Sequence, residues 1–506
     1  MWLVTCVEAV LAGVLTLPLP GDQVLLLDGR IVEAAVELSG DAVTLKFKNG
    51  DITIPRDQVK EVYYEDLSRY LPQSDEEKEQ LAKGFVKYEG RWISKDRLQA
   101  ELQKRQAALE ERLQRVKEHQ EWRNALVKTS KHFKWTTNCA EEIVDQYIEI
   151  FEAYYEYFAK EFKLPKSPEK TEIYIYRNRK DFHQISGAPG GALGFFRPSR
   201  QDVHFFHDPT ADELPLGVLF HEGNHLLVSL MNPGNWTPHW ISEGMAEYFG
   251  GSSLSGGKFV PGGIQNGRLV QIKEDLEKGR RVGIEDLIRK SSYDSYTWGW
   301  SFVHYMMNSP KHSPKFMKYF DTIVRGKGVK RERGSMLVDG KSLNVMATPD
   351  NEQIELLRKT MGVKSFAELE KGWYEYVEKE LNVEPGEGDL AAAEKFCHES
   401  KYEEAYKWVE KAIQAGLDTP TVFGWKGRIA WKLNKIQEAI EAYQEAIDRD
   451  PLRASYYFEL GRCYARKEDA ASKEEAKRLK LLAGELDPDI YSSPVDIEAI
   501  LSGEDE

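Results

Sequence analysis

Residues 221–225, His-Glu-Gly-Asn-His, put two imidazoles four positions apart with a carboxylate beside the first. On a helix that spacing is one turn, so both rings project from one side at the separation needed to chelate a metal. Glu222 sits where it reaches a metal-held water rather than the metal, which is the mechanical content of H-E-x-x-H. The flanks, "LPLGVLF" before and "LLVSLM" after, are apolar, as a buried active-site helix requires. A catalytic zinc needs three protein ligands and one open position. "PHWISEGMAEYFGG" (238–251) supplies the third as Glu243, on a second helix reached through the loop-like "NPGNWTP".

Other candidates carry less. Glu247 shares a helical face with Glu243 and is expected either to orient a ligand from behind or to form a salt bridge. His239 precedes the second helix and is expected to sit at the surface or behind the ligands. His204 and His207, three apart on a strand, point to opposite faces and cannot chelate together. His304 lies in an apolar helix and reads as core.

"WISEGMAEY" (240–248), together with H-E-x-x-H, resembles the gluzincin metallopeptidases, in particular the peptidase-MA-like group. The resemblance covers roughly 130–330. It implies zinc held by His221, His225 and Glu243, with Glu222 as general base and proton shuttle. It also implies a tyrosine from a Y-x-x-G motif against the oxyanion, for which Tyr296 to Gly299 is the match; otherwise Tyr293, Tyr296, Trp298 and Trp300 are core aromatics. Two departures stand out. The gap from His225 to Glu243 is one residue shorter than in the aminopeptidases of this group. No G-x-M-E-N stretch, the feature that anchors a substrate's free amine, precedes the zinc helix. Endopeptidase-like cleavage is therefore expected, with the strand in "GALGFFRPSRQDVHFF" adding an extended peptide to its sheet edge.

These residues need elements to hold them. The 506-residue chain has room for several domains, and its formal charge of −14 argues against nucleic acid as a main partner. Cys6, Cys139, Cys397 and Cys463 are far apart, which excludes a cysteine-rich zinc module and gives no disulfide framework. At 1–20, an apolar core from Ala9 to Leu17 followed by Pro18 and Pro20 has the length of a signal-peptide h-region, so export is expected. Glu8 and the lack of a preceding Lys or Arg leave a cytoplasmic chain as the alternative. No other run approaches 18 apolar residues, so stable membrane insertion is not expected.

The predicted fold class is multidomain α+β. Residues 21–66 alternate apolar runs with Asp28-Gly29, Ser39-Gly40 and Asn49-Gly50, predicting a small five-stranded SH3-like barrel. Residues 67–129 predict an aromatic turn (Phe85, Tyr88, Trp92) and a charged helix from Asp96 to about Lys128, with a thin stripe of Leu98, Leu102, Leu109, Leu113 and Val116. The peptidase-like domain spans 130–385. It opens with a strand from His132 and a helix capped by Thr137 or Asn138, whose apolar face runs Ile143, Tyr147, Ile150, Phe151, Tyr154, Phe158, Phe162. Strands at 171 onward and Val203 to Phe206 follow. In 386–490, Ala405 and Ala439, Ala412 and Ala446, and Gly427 and Gly461 recur every 34 residues, and "GWKGRIAWKLNKIQEAIEAYQEAIDRDP" (424–451) resembles the tetratricopeptide repeat. Three such repeats form a groove for a protein or peptide partner. An acidic tail occupies 491–506. The competing reading is a peptidase-fold scaffold that acts through its repeat and β modules without turnover; the retained Glu222 argues against it.

Overall fold

The computed structural model describes residues 22–487 and 490, apart from 28–30, 65, 71, 73, 89, 166–169, 208–215, 339–340 and 383–384. The expected signal segment, the Asp28-Gly29 turn, the side chains of Leu109 and Leu113, and the acidic tail lie outside the described residues. The chain divides into two units: one comprises 1–118 with 419–506, the other 119–418.

In the first unit the N-terminal strands are β1 (Gln23–Leu26), β2 (Ile31–Glu33), β3 (Ala35–Ser39), β4 (Ala42–Phe47), β5 (Gly50–Pro55) and β6 (Val59–Tyr63). They pair antiparallel as β2-β1-β6 and β3-β4-β5, two three-stranded sheets made from five extended runs, one of which serves both. At Ala34 that run breaks into β2 and β3 and passes from one sheet to the other. Period-two burial of Val43, Leu45 and Phe47, and of Ile52 and Ile54, gives the β3-β4-β5 sheet one buried face. Helix α1 (Asp75–Ala82) then leads to the hairpin β7 (Phe85–Tyr88) and β8 (Arg91–Ser94). Its Tyr88 packs on Tyr63 at 4.6 Å, with Leu98 and Leu102 of α2 (Lys95–Gln120) beneath.

Helix α2 ends at Gln120, eight residues short of the expected Lys128. Charge patterning does not mark this end; pairing does, because Leu126–Thr129 form β9 against β10 (Phe133–Thr137). The second unit is built on this sheet, ordered β12-β13-β11-β10-β9, with β11 (Thr171–Tyr176), β12 (Gly194–Arg197) and β13 (Asp202–Phe206). The three central strands run parallel and both edges antiparallel. Helix α3 (Glu141–Glu161) buries Val144, Tyr147, Phe151, Tyr154 and Phe158, a stripe at three- and four-residue spacing. Neither Thr137 nor Asn138 caps it, because both side chains are engaged elsewhere. Thr137 Oγ1 accepts from Cys139 N, and Asn138 bridges Arg177 N, Gln120 O and Asp181. Helix α4 (Arg179–Ser186), capped by Asn178, follows β11 in place of a simple turn.

Helices α5 (Leu216–Met231) and α6 (His239–Gly250) carry the two motifs, joined through the short strand β14 (Asn235–Trp236). After the hairpin β15 (Ser253–Ser255) and β16 (Lys258–Val260) come α7 (Asn266–Glu277), α8 (Ile284–Arg289), α9 (Asp294–Asn308) and α10 (Ser313–Arg325). The ribbon β17 (Glu332–Val338) and β18 (Lys341–Ala347) pairs with β14, and α11 (Asp350–Met361) and α12 (Ala367–Lys379) close one core. The repeat helices begin in this unit with α13 (Glu387–His398) and α14 (Tyr402–Gln414), α13 lying against α7. The other two pairs, α15 (Pro420–Lys432) with α16 (Ile436–Arg449) and α17 (Ala454–Ala465) with α18 (Ala470–Leu486), belong to the first unit, where Arg478 Nη1 donates to Asn49 O at 2.8 Å. The repeated alanines 405, 412, 439 and 446 are all fully buried, as closely packed helical hairpins demand. Among the described residues no helix is long and apolar enough to cross a membrane.

Candidate metal centre

The motif helices α5 and α6 approach closely at Gly217 and Gly250, where a Cβ on either would stand 3.3 Å from the other's carbonyl oxygen, and glycine also lets a third helix in. At the crossing of α6 and α9, a Cβ on Gly244 would stand 2.8 Å from Gly299 O. This contact seats the Tyr296 end of α9 beside Glu243. Trp240, one turn earlier on α6, is buried, and its Nε1 donates to Gln353 Oε1 at 3.2 Å, which anchors the helix in the core.

Three donor atoms converge. His221 Nε2 and His225 Nε2 lie 3.3 Å apart, and Glu243 Oε2 is 3.4 Å from the first and 3.5 Å from the second. Ligand atoms bound tetrahedrally to zinc at about 2.05 Å are separated by about 3.3–3.4 Å, so this near-equilateral triangle has the edge a zinc ion requires. A second observation agrees. Glu243 Oε2 is buried and makes no well-formed hydrogen bond; its polar neighbours are the two imidazole nitrogens at 3.4 and 3.5 Å, so it faces the place a shared cation would take. Among the described residues this is the one cluster of at least three His, Cys, Asp or Glu side chains whose donor atoms gather so closely. The donor set of two imidazoles and a carboxylate suits zinc, and the residues fit the ion.

The surroundings set the ring orientations. His225 Nδ1 is 3.1 Å from Ser242 Oγ, and His221 Nδ1 is 3.5 Å from Glu247 Oε1. Protons on the two Nδ1 atoms direct both Nε2 lone pairs at the shared point. Glu247 is in turn gripped by Arg268, with Nη2 to Oε1 at 2.6 Å and Nε to Oε2 at 3.0 Å. In the ion-free chain, burial opposes charge on His221, but the carboxylates of Glu243, Glu222 and Glu247 lift its pKa to about 9. Burial likewise opposes ionisation of Glu243, yet the His225 and His221 imidazoles hold its carboxyl well below the usual range. The two shifts are two sides of one pairing: the His221 imidazole and the Glu243 carboxylate each favour the charged form of the other.

Tyr296 stands over the centre, its ring parallel to that of His221 with centroids 6.2 Å apart. Burial first, then the Glu243 and Glu222 carboxylates, raise its pKa well above the phenol range, so the hydroxyl keeps its proton and can donate. Glu222 faces the edge strand β12: a Cβ on Gly194 would lie 3.1 Å from Glu222 Cγ. Of the other histidines, His239 sits behind Glu243, its Nε2 3.9 Å from Oε1 and its Nδ1 2.9 Å from Ser295 Oγ. His204 is buried outside the centre, against Tyr176, Asp202 and Arg197, and His207 reaches Tyr147. His304 is buried, as expected, between Gly262 O and Tyr376.

Ser242 and Arg268 were not foreseen from the sequence. Ser242 had a readable signal, since it directly precedes Glu243, the expected third donor. Arg268, 21 residues past Glu247, had none beyond the rule that a buried carboxylate needs a cation.

In comparisons with known proteins, the tetratricopeptide repeat family matches residues 426–476, within α15 to α18. No curated protein matches the chain. Such repeats point to a protein-binding role for this region.

Proposed function

We propose that the chain is a zinc-dependent, endopeptidase-like metallopeptidase of the gluzincin type, exported by its N-terminal segment and supplied with protein partners or substrates by its repeat helices. The observation that carries this reading is the triangle of His221, His225 and Glu243, with Glu222 and Tyr296 beside it. When bound, zinc supplies Lewis acidity that polarises an amide carbonyl and acidifies a water.

The remaining work falls to the chain. Strand β12, at the sheet edge among the described residues, takes an extended peptide beside α5, in place of residues 203–206, which pair on both sides. Glu222, half-buried beside β12, takes the proton of the attacking water and returns it to the leaving amine. The Tyr296 hydroxyl donates to the oxygen that gains charge as the carbonyl becomes tetrahedral.

Metal analysis with a broad peptide library tests the proposal. Wild type is expected to carry about one zinc per chain and His225→Ala almost none, because two remaining donors do not make a catalytic site. Glu222→Gln keeps the metal and loses about 10²–10⁴-fold of cleavage. Zinc bound with no cleavage of any peptide favours the scaffold reading instead.

A further inference from the structure

We propose that Arg268 is a positioning residue of this centre, holding His221 and Tyr296 in register through one guanidinium; the inference rests on the zinc reading above. Two sides of the same planar group are in use. Its edge forms the two-point contact with Glu247, whose Oε1 also faces His221 Nδ1 at 3.5 Å. Its central carbon lies over the rings of Tyr293 and Tyr296, 5.5 and 5.4 Å from their centroids, while Nη1 donates to Tyr293 Oη at 2.8 Å. Tyr296 therefore has the guanidinium on its ring and the His221 ring parallel to it.

The helix bearing Arg268 is itself tied to the site. Gln265, at the N-terminus of α7, donates from Nε2 to Glu247 O at 3.2 Å, so the first turn of α7 is pinned to the end of α6. Arg268 lies within that turn. A salt bridge that only stabilised the core would need neither the stacking on Tyr296 nor a carboxylate shared with a ligand's outer nitrogen. Lysine cannot replace the fork, because an ammonium neither binds both carboxylate oxygens in plane nor stacks on a ring as a flat group.

The test uses full-length protein loaded with zinc and followed during release to a chelator, with no substrate present. Arg268→Lys is expected to release zinc about 10–100-fold faster than wild type, the usual effect of losing a partner behind a ligating histidine. With zinc kept saturating and a cleaved peptide in hand, its kcat falls about tenfold while KM stays within about twofold, since Tyr296 acts on the transition state. The double variant Glu247→Gln/Arg268→Gln removes both buried charges together, guarding against a fold lost to one unpaired ion, and is expected to release zinc as fast as Arg268→Lys. Release at the wild-type rate from either folded variant overturns the inference and leaves the zinc reading standing. Wild type without zinc overturns both.

Discussion

Gly244→Ala tests the reasoning where helix packing and metal binding meet. The added Cβ would lie 2.8 Å from Gly299 O and 2.9 Å from Val303 Cγ2, where ordinary contact begins at 3.4 Å. Val303 can turn its side chain, but the carbonyl is backbone, so α6 and α9 must separate by about 0.6 Å. Overpacking of this kind costs about 1–3 kcal/mol, against about 1 kcal/mol gained from the better helix propensity of alanine. The net expectation is a loss of up to about 2 kcal/mol in urea unfolding of the chelator-treated protein. Zinc affinity should fall further, about 10–100-fold in competition with a chromogenic chelator, because Glu243 adjoins the displaced residue and second-layer shifts of this size have effects of that order. Gly267→Ala on α7 is the control: no atom lies within 4 Å of its added Cβ, so only the propensity gain should appear. If Gly244→Ala instead gains stability as the control does and binds zinc like wild type, the crossing does not set the site.

Three further outcomes are expected. Tyr296→Phe should keep its zinc while kcat on a cleaved peptide falls about 10–10³-fold, the range for one lost oxyanion donor; unchanged kcat would return Tyr296 to the core aromatics. His304 is held neutral, its pKa lowered to about 4 by burial despite the Gly262 carbonyl, and its nearest titratable neighbours are the tyrosines Tyr376 and Tyr248. The unfolded chain thus binds more protons between about pH 6.5 and 4, so stability must fall as pH drops through that window, by up to about 3 kcal/mol. Urea midpoints of wild type and His304→Gln should accordingly converge toward pH 4, and parallel curves would contradict the assignment. Asn178→Ala removes the side chain that accepts from Asp181 N at 2.9 Å and should cost about 1 kcal/mol in the same assay.

Local sequence determined whatever one helix turn or one strand period encodes. The four-residue spacing of His221 and His225, the buried stripe of α3 from Tyr147 to Phe162, and the 34-residue recurrence of small residues in the repeat helices were legible because each is written within a single element or its copy. The end of α2 was not: its charged pattern runs on past Gln120, and only pairing of Leu126–Thr129 with β10 converts that stretch to strand. The cap proposed at Asn138 went the same way, because its side chain bonds to groups up to 43 residues distant, while Thr137 Oγ1 accepts locally from Cys139 N. In this stretch the sequence marked only Val203 to Phe206 as strand; β12 forms because β13 offers it a partner. Which carboxylate reaches the two imidazoles, and which cation holds the carboxylate behind them, depends on the crossings of α5, α6, α7 and α9. Those crossings come from close contacts between residues far apart in the chain, such as Gly244 against Gly299, and no periodicity along a single element records them.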